Sequence, residues 1–405
     1  ARDREETSVV ACSRALRDSI FLRVRRLLVV LLALSLVTAA CGDDDDAAAP
    51  GAESPTTSTS SSGSSADVET SEPPPSTTAA PTTTVPASAP PEPVPSAACT
   101  DGSENPAAIE DGRIDLISGG VDRYALLTTP GLPDPVALVL DLHGYTEGAE
   151  IHAVHTGLGT LGAAEGFAVA TPHGAGTPPQ WGFDPNSADI DFFEDLLDEI
   201  EATICIDRAR VYAAGLSNGA MMSSILGCRL PERIAAVAPV AGVRTFGDCP
   251  IENPTPLLAF HGTADTFVSF DGGLGESVAA LPNPDGSGGS IGDLLDDADP
   301  EVAAQLAEIE ATSVPEYVAD WADHNGCTAE PAETDIGTSI RLVDYECPLG
   351  GDTQLYVIEG GGHTWPGSEF LAGATDLVGV TTFEIDASPL IWEFFQQQWL
   401  EEPPA

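Results

Sequence analysis

Short apolar runs that alternate with helical stretches most constrain how this chain folds. The run VALVLDL at Val136–Leu142 is almost continuously apolar, as expected for a strand buried on both faces of a sheet. Further strands are predicted at 167–170, 211–214, 235–238 (ending before Pro239), 256–260 and 354–358, with helices at about 150–165 and 189–204. Strands alternating with helices indicate a doubly wound, mostly parallel sheet with helices on both faces. Ligand sites in such sheets lie at the carboxyl ends of the strands.

The N-terminal part of the chain departs from this pattern. Residues 1–41 combine a basic start, an apolar core and small residues before a cysteine, which is typical of an export signal. Because no Met precedes Met221, we interpret the first twenty or so residues as an over-extended start. The segment Thr38-Ala39-Ala40-Cys41 resembles a bacterial lipobox, with Thr38 where Leu is usual. It predicts a lipid anchor on Cys41, and an ordinary export signal is the alternative.

The next segment is predicted to be a linker. Residues 42–98 are rich in Ser, Thr, Pro and Ala and have no periodic apolar residues, so they cannot bury enough surface to offset chain entropy. We expect a disordered tether that holds the rest of the chain away from a membrane surface. Residues 99–405 are long enough for one well-buried domain, expected to be a monomer.

The charge of the chain limits its partners. The formal net charge is −49, and the sequence contains no Lys. Such a surface repels nucleic acid and anionic lipid, so we expect no nucleic-acid partner and membrane contact only through a lipid anchor. Replacement of Lys through genomic composition bias explains the acidity, and adaptation to a saline habitat is the alternative.

The pattern Gly-x-Ser-x-Gly, which can hold a nucleophilic serine, occurs twice. A chain with 40 Gly among 405 residues produces it by chance about once in three sequences. Ser217 follows the predicted strand 211–214 closely and precedes a helix-like stretch, which is the strand–turn–helix context that the motif requires. Ser290 lies in the Gly-rich segment PNPDGSGGSIGD, with no strand before it. We therefore predict Ser217 as the nucleophile, with a helix-capping serine as the alternative.

A catalytic serine needs a base, and the base needs a carboxylate that orients it. Asp265 follows the predicted strand 256–260, and His363 follows the strand 354–358. Their order after the serine is the order that this kind of site uses. Asp271 is the rival acid, and His261 is expected to support the acid loop. A capping aspartate and a structural histidine are the alternative interpretations.

Backbone N–H groups are expected to stabilise the oxyanion. One should come from Asn218, directly after the proposed nucleophile. The second should come from Tyr145, because His143-Gly144 ends the strand Val136–Leu142 and Gly144 allows a close backbone approach. A simple turn at these residues is the alternative.

Four ordered segments, LHGYTEG, RVYAAGLSNGAMM, HGTADTFV and GGGHTWPG, resemble the motifs of the secreted polyhydroxybutyrate depolymerase and feruloyl esterase family. The resemblance covers roughly residues 99–400 and implies an α/β-hydrolase fold. It also implies a triad of Ser217, Asp265 and His363, with Trp181 and Trp365 bordering the acyl or aryl pocket. Plain core residues are the alternative for both tryptophans.

The cysteines point to an exported domain. Six cysteines remain in residues 99–405, an even number that suggests disulfides, although six cysteines allow fifteen pairings. The family resemblance implies the pairs Cys99–Cys205, Cys228–Cys249 and Cys327–Cys347. No C-x-x-C spacing occurs, so we expect no zinc knuckle, and the chemistry needs no metal or cofactor.

Residues 272–312 form a long acidic insertion after Asp265. It begins near the catalytic edge, so we predict a partial lid, with a solvated surface insertion as the alternative.

The sequence as a whole predicts a secreted serine esterase that acts through an acyl-enzyme on a polyester or a plant cell-wall ester. It is expected on the outer face of the cell membrane. The rivals are a peptidase of the same fold and a surface binding protein that has lost catalysis. The sequence leaves the acyl group open.

Overall fold

The computed structural model describes residues 91–401 and 403, with gaps at 100–111, 132–134, 183, 246–253, 285, 287, 297–311 and 329. The predicted export signal, Cys41 and nearly all of the predicted linker lie outside the described residues, as do Cys249 and part of the acidic insertion. Within the described part of the chain, no helix is both long enough and apolar enough to span a membrane.

The described strands form one ten-stranded sheet in the order β1-β2-β4-β3-β5-β6-β7-β10-β9-β8. The central run from β4 to β10 is parallel, and the strands added at both edges pair antiparallel. This is the doubly wound, mostly parallel sheet of an α/β-hydrolase. The bounds are β1 Arg113–Ser118, β2 Val121–Thr128, β3 Val136–Leu142, β4 Ala168–Pro172, β5 Ile206–Leu216, β6 Ala236–Val240, β7 Leu257–Gly262, β8 Ala332–Asp335, β9 Ile340–Tyr345 and β10 Thr353–Ile358.

Helices cover both faces of the sheet, and two apolar clusters lie between them and the strands. Alternate side chains of β3 enter opposite clusters, Leu138 and Leu140 on one face and Val139 on the other. This explains why the strand is apolar at nearly every position. The helices are α1 Ala149–Thr156, α2 Leu158–Glu165, α3 Ala188–Thr203, α4 Asn218–Arg229, α5 Ile291–Asp296, α6 Val314–His324, α7 Thr375–Val378 and α8 Ala387–Phe395, with a 3₁₀ turn at Val278–Ala280.

Three predicted boundaries differ from the structure. Strand β6 continues through Pro239, which pairs with Gly215 of the parallel neighbour. The helix predicted at about 150–165 is two helices, because Gly157 takes a φ of 66° that ends α1. Residues 91–98 are ordered rather than part of a free linker, since Val94 and Ser96 bond to the start of β5.

Disulfides join Cys99 to Cys205 and Cys327 to Cys347, two of the three pairs that the resemblance implies. Cys228 is also disulfide-bonded, and its expected partner Cys249 lies outside the described residues. The Cys99–Cys205 bond ties the first residue of the predicted domain to the residue that precedes β5.

The end of β3 lies directly against the first turn of α4, and glycine makes this approach possible. A Cβ on Gly219 would overlap the carbonyl oxygen of Leu142 and would lie 2.6 Å from the carbonyl oxygen of His143. A Cβ on Gly144, by contrast, would find ordinary contacts from 3.4 Å outward.

We therefore predict that Gly219→Ala destabilises the protein by about 1–3 kcal/mol or more, because the added methyl group must push backbone apart. Gly144→Ala is the matched control and should cost less than half as much. Urea unfolding of both variants measures the difference. Equal stability of Gly219→Ala and the wild type would contradict the close approach.

Candidate active site

Ser217 occupies a sharp turn between β5 and α4. Its backbone has φ 57° and ψ −116°, a conformation that a residue with a Cβ adopts only when its surroundings force it, at a cost of roughly 1–3 kcal/mol. The turn is held by the Ser217 N–H, which donates to the carbonyl of Val240 at 2.9 Å. The side chain is half-buried. Strand, strained serine and helix therefore follow one another as the motif around Ser217 predicts.

The second motif has a different structure. Ser290 precedes the six-residue helix α5, and its hydroxyl oxygen lies 2.9 Å from the carboxylate of Asp293. The Ser290 N–H donates to the same carboxylate at 2.8 Å. Ser290 thus sits at a helix start and itself forms an isolated bridge with Pro282, and no strand precedes it among the described residues of this segment.

Asp265 and His363 meet in a direct hydrogen bond. His363 Nδ1 lies 2.7 Å from Asp265 Oδ2, and the Asp265 side chain is fully buried. Since a carboxylate only accepts, Nδ1 carries the hydrogen and the other ring nitrogen, Nε2, is left to act as a base. Asp271, the rival acid, is exposed on the same loop.

The acid loop is built around the Asp265 carboxylate. Its Oδ1 accepts the N–H groups of Phe267 at 2.8 Å and Val268 at 3.0 Å. Its Oδ2 also lies 3.4 Å from Nε2 of His261, which donates to the Val268 carbonyl at 2.9 Å. His261 therefore supports the loop, as predicted. Burial disfavours the charged carboxylate, but the charge of His363 and the hydrogen bonds from both histidines hold the pKa of Asp265 below its ordinary value.

The three predicted triad residues follow the carboxyl ends of β5, β7 and β10, at one edge of the sheet. Among the described residues, Ser217 Oγ makes no hydrogen bond to His363. Such bonds are often long before substrate binds.

The loop after β3 lies beside the serine, where the sequence predicts the oxyanion donors. A Cβ on Gly144 would lie 3.7 Å from the Cβ of Ser217. Asn218 is locked in place because its side-chain amide exchanges two hydrogen bonds with the backbone of Trp181, at 2.7 and 3.0 Å. The Tyr145 hydroxyl donates to the carbonyl of Pro282, within the acidic insertion, at 2.8 Å.

Both predicted pocket tryptophans lie in the core. Trp181 exposes 0% and Trp365 exposes 1% of its surface, so neither borders an open pocket. The Trp181 indole N–H donates to the carbonyl of His143 at 3.0 Å, and that of Trp365 donates to Ser388 Oγ at 3.0 Å. Each indole thus satisfies its polar atom inside the protein, which corrects the expectation that they contact substrate.

A buried cluster of acids and histidines contacts Gly144 through Glu147 and was not predicted from the sequence. His152 Nδ1 and His155 Nδ1 lie 2.9 and 2.7 Å from the two carboxylate oxygens of Glu147. His152 Nε2 lies 3.0 Å from Asp141 Oδ1 in an ion pair. The available signals were an Asp inside the apolar run of β3 and two histidines three residues apart on α1.

The acidic insertion contacts both sides of this edge. Val278 packs against Phe267 of the acid loop and Val378 of the His363 side. Farther along, the Pro284 carbonyl accepts from Gln180 Nε2 at 2.6 Å, next to the Tyr145 contact.

Comparisons with known proteins relate the chain to esterases. No family model matches the chain. The Putative esterase NocK of Nocardia uniformis subsp. tsuyamanensis is 30% identical over 317 residues, which span 72% of this chain and 88% of that protein. The chain belongs to the polyhydroxybutyrate depolymerase and feruloyl esterase family of α/β-hydrolases. Feruloyl esterase B of Piromyces equi, a further relative of this esterase family, is 31% identical over 209 residues, 49% of this chain and 34% of that protein.

Among solved structures, an acetyl xylan esterase from Aspergillus awamori aligns with 97% of its length and 65% of this chain. The identity is 14% and the TM-score is 0.42.

We predict that Asp265→Asn lowers kcat for ester hydrolysis by about 10³–10⁴-fold, because an amide no longer fixes the His363 tautomer. Asp271→Asn, farther along the same loop and exposed, is the matched control and should retain wild-type kcat. Steady-state hydrolysis of p-nitrophenyl acetate measures both. A reversed ranking of the two variants would assign the acid to Asp271.

Proposed function

We propose that this protein is a serine esterase that cleaves carboxylic esters through an acyl-enzyme, with Ser217 as nucleophile, His363 as base and Asp265 as the orienting acid. The observation that carries the proposal is the 2.7 Å bond between His363 Nδ1 and the buried Asp265 carboxylate, on the same sheet edge as the strained Ser217. Membership in an esterase family supports the reaction type.

The proposed reaction has two halves. His363 Nε2 takes the proton of Ser217 Oγ as the oxygen attacks the ester carbonyl, and the N–H groups of Tyr145 and Asn218 receive the oxyanion. His363 then gives the proton to the leaving alcohol, so that an acyl-enzyme remains. Water attacks the acyl carbon by the same sequence and releases the acid. Asp265 stays ionised throughout and stabilises the imidazolium.

The proposed substrates are esters of the kinds that relatives' names report, feruloyl esters and acetylated xylan, together with polyesters. A panel of p-nitrophenyl acyl esters, methyl ferulate and polyhydroxybutyrate would rank them.

We also propose that the protein is exported. The disulfides support this because such bonds persist in oxidising compartments. The lipid anchor on Cys41 and the monomeric state stay part of the proposal.

The nucleophile is tested with a fluorophosphonate probe, which reacts with activated serines. We expect stoichiometric labelling at Ser217, and we expect Ser217→Ala to lose both labelling and esterase activity. Ser290→Ala is the matched control, since it removes the serine of the second Gly-x-Ser-x-Gly motif, and it should behave as wild type. Absence of labelling in the wild type would favour a binding protein, and peptide cleavage without ester cleavage would favour a peptidase.

We further propose that the acidic insertion 272–312 is a partial lid. Its described part contacts the acid loop through Phe267 and the opposite wall through Tyr145 and Gln180, so it runs along both sides of the edge that carries Ser217. A segment held at both sides of a site restricts the size of the ester that can enter.

Deletion of residues 283–298 should therefore raise kcat/KM for bulky esters such as p-nitrophenyl decanoate relative to p-nitrophenyl acetate, by about tenfold. Steady-state kinetics on the two esters give the ratio. An unchanged ratio in a folded deletion variant would identify the segment as a surface insertion.

A further inference from the structure

Glu147 holds the backbone loop that carries one of the proposed oxyanion donors. We propose that Glu147 is a positioning residue that holds Gly144 through two groups, its carboxylate on the Gly144 N–H and its backbone N–H on the Gly144 carbonyl, so that the Tyr145 N–H points at the reacting carbonyl oxygen. This inference rests on the proposed esterase reaction and adds a residue to it. The carboxylate itself touches no reacting atom.

Hydrogen bonds hold both the N–H and the carbonyl of Gly144. Its N–H donates to Glu147 Oε2 at 3.0 Å. Its carbonyl accepts from His143 Nδ1 at 2.7 Å and from the Glu147 N–H at 3.2 Å. Because the carbonyl and the N–H of a trans peptide point in opposite directions, fixing the Gly144 carbonyl also fixes the direction of the Tyr145 N–H.

The tautomer of His143 fits this role. Its Nε2 accepts the N–H of Gly174 at 2.8 Å, so the hydrogen resides on Nδ1 and is donated to the Gly144 carbonyl. Burial lowers the pKa of His143 to about 4, which keeps the ring neutral and the tautomer single at neutral pH.

Glu147 is in turn immobilised by the two histidines of α1. Its two carboxylate oxygens lie 2.9 Å from His152 Nδ1 and 2.7 Å from His155 Nδ1, and its side chain is 12% exposed. Both ring nitrogens of His152 face carboxylates, Glu147 on one side and Asp141 on the other. Burial opposes the charge on His152, but the two carboxylates outweigh it and raise the pKa of His152 to about 10. The carboxylate is therefore ionised and held in one orientation.

The same residue types also form metal sites, and the candidate ligand atoms of Glu147, His152 and His155 lie within 4.8 Å of one another. Each imidazole Nδ1, however, already lies at hydrogen-bonding distance from a Glu147 oxygen. The distances are those of hydrogen bonds between the ligands themselves, so the geometry favours a proton-bridged cluster.

The test compares Glu147→Gln with Asp207→Asn. In Glu147→Gln, three N–H donors are left with a single acceptor oxygen, so the loop loses its anchor. Asp207 is a matched control because its buried carboxylate also accepts backbone N–H groups, from Val94 and Ala209, and pairs with Arg210. It lies at the start of β5, the strand that ends directly before Ser217.

We expect Glu147→Gln to lower kcat for p-nitrophenyl acetate by about 10- to 100-fold with little change in KM, because oxyanion stabilisation acts on the transition state. Affinity for phenylboronic acid, whose tetrahedral adduct on Ser217 places an oxygen at the oxyanion position, should fall by a similar factor.

Asp207→Asn should lose thermal stability without a change in kcat or in boronate affinity. Rates are expressed per serine site titrated with a fluorophosphonate. Glu147→Asp, which keeps the charge but withdraws the carboxylate, should repeat the loss of kcat if Glu147→Gln does not fold.

Three outcomes would overturn the inference. Wild-type kcat and boronate affinity in a folded Glu147 variant would show that the carboxylate does not position the loop. Activity that falls with a chelator and returns with zinc, in the wild type alone, would assign the cluster to a metal. If the wild type neither labels with the fluorophosphonate nor hydrolyses esters, the proposed function fails and this inference fails with it.

Discussion

The contact between the end of β3 and the first turn of α4 determines the form of the whole candidate site. Because Gly219 has no side chain, the helix packs directly onto the backbone of Leu142 and His143. The serine turn and the loop after β3 are thereby held next to each other. A single backbone packing requirement thus places the proposed nucleophile and the proposed oxyanion donors together, before any side chain contributes.

Histidines are the partners of the buried carboxylates at this edge. The protein has no Lys and carries 64 acidic residues, yet its buried carboxylates at the site are compensated. Asp265 is paired with His363 and His261, and Glu147 is paired with His152 and His155. A histidine is compact enough to fit into a packed site, and when protonated it presents a donor on each ring nitrogen. Exposed Asp and Glu side chains are solvated by water and need no partner within the protein.

The sequence predicted the sheet and the sharp turn at Ser217, for a physical reason. A strand covered on both faces must be apolar along its length, and the chain after Gly215 must turn sharply into a helix, so both features leave a readable pattern. Strand ends were less predictable. Pro239, inside β6, pairs with Gly215 although proline has no N–H to donate, and residues 91–98 are held by contacts with β5, which lies far away in the sequence.

Side-chain environments were the hardest feature to predict, as three residues illustrate. Trp181 and Trp365 follow strands near this edge of the sheet. Such an indole can be buried in the core only where its N–H finds an acceptor there, and the sequence does not show which acceptors are close in space. Asp141 is the opposite case, a residue whose importance the sequence understates. It is a single polar residue in an apolar run, but a carboxylate in a strand covered on both faces requires a buried partner. His152 is such a partner, and its other ring nitrogen lies beside Glu147. The single polar residue in the core pattern is thus connected to the carboxylate that holds the Gly144 loop at the candidate site.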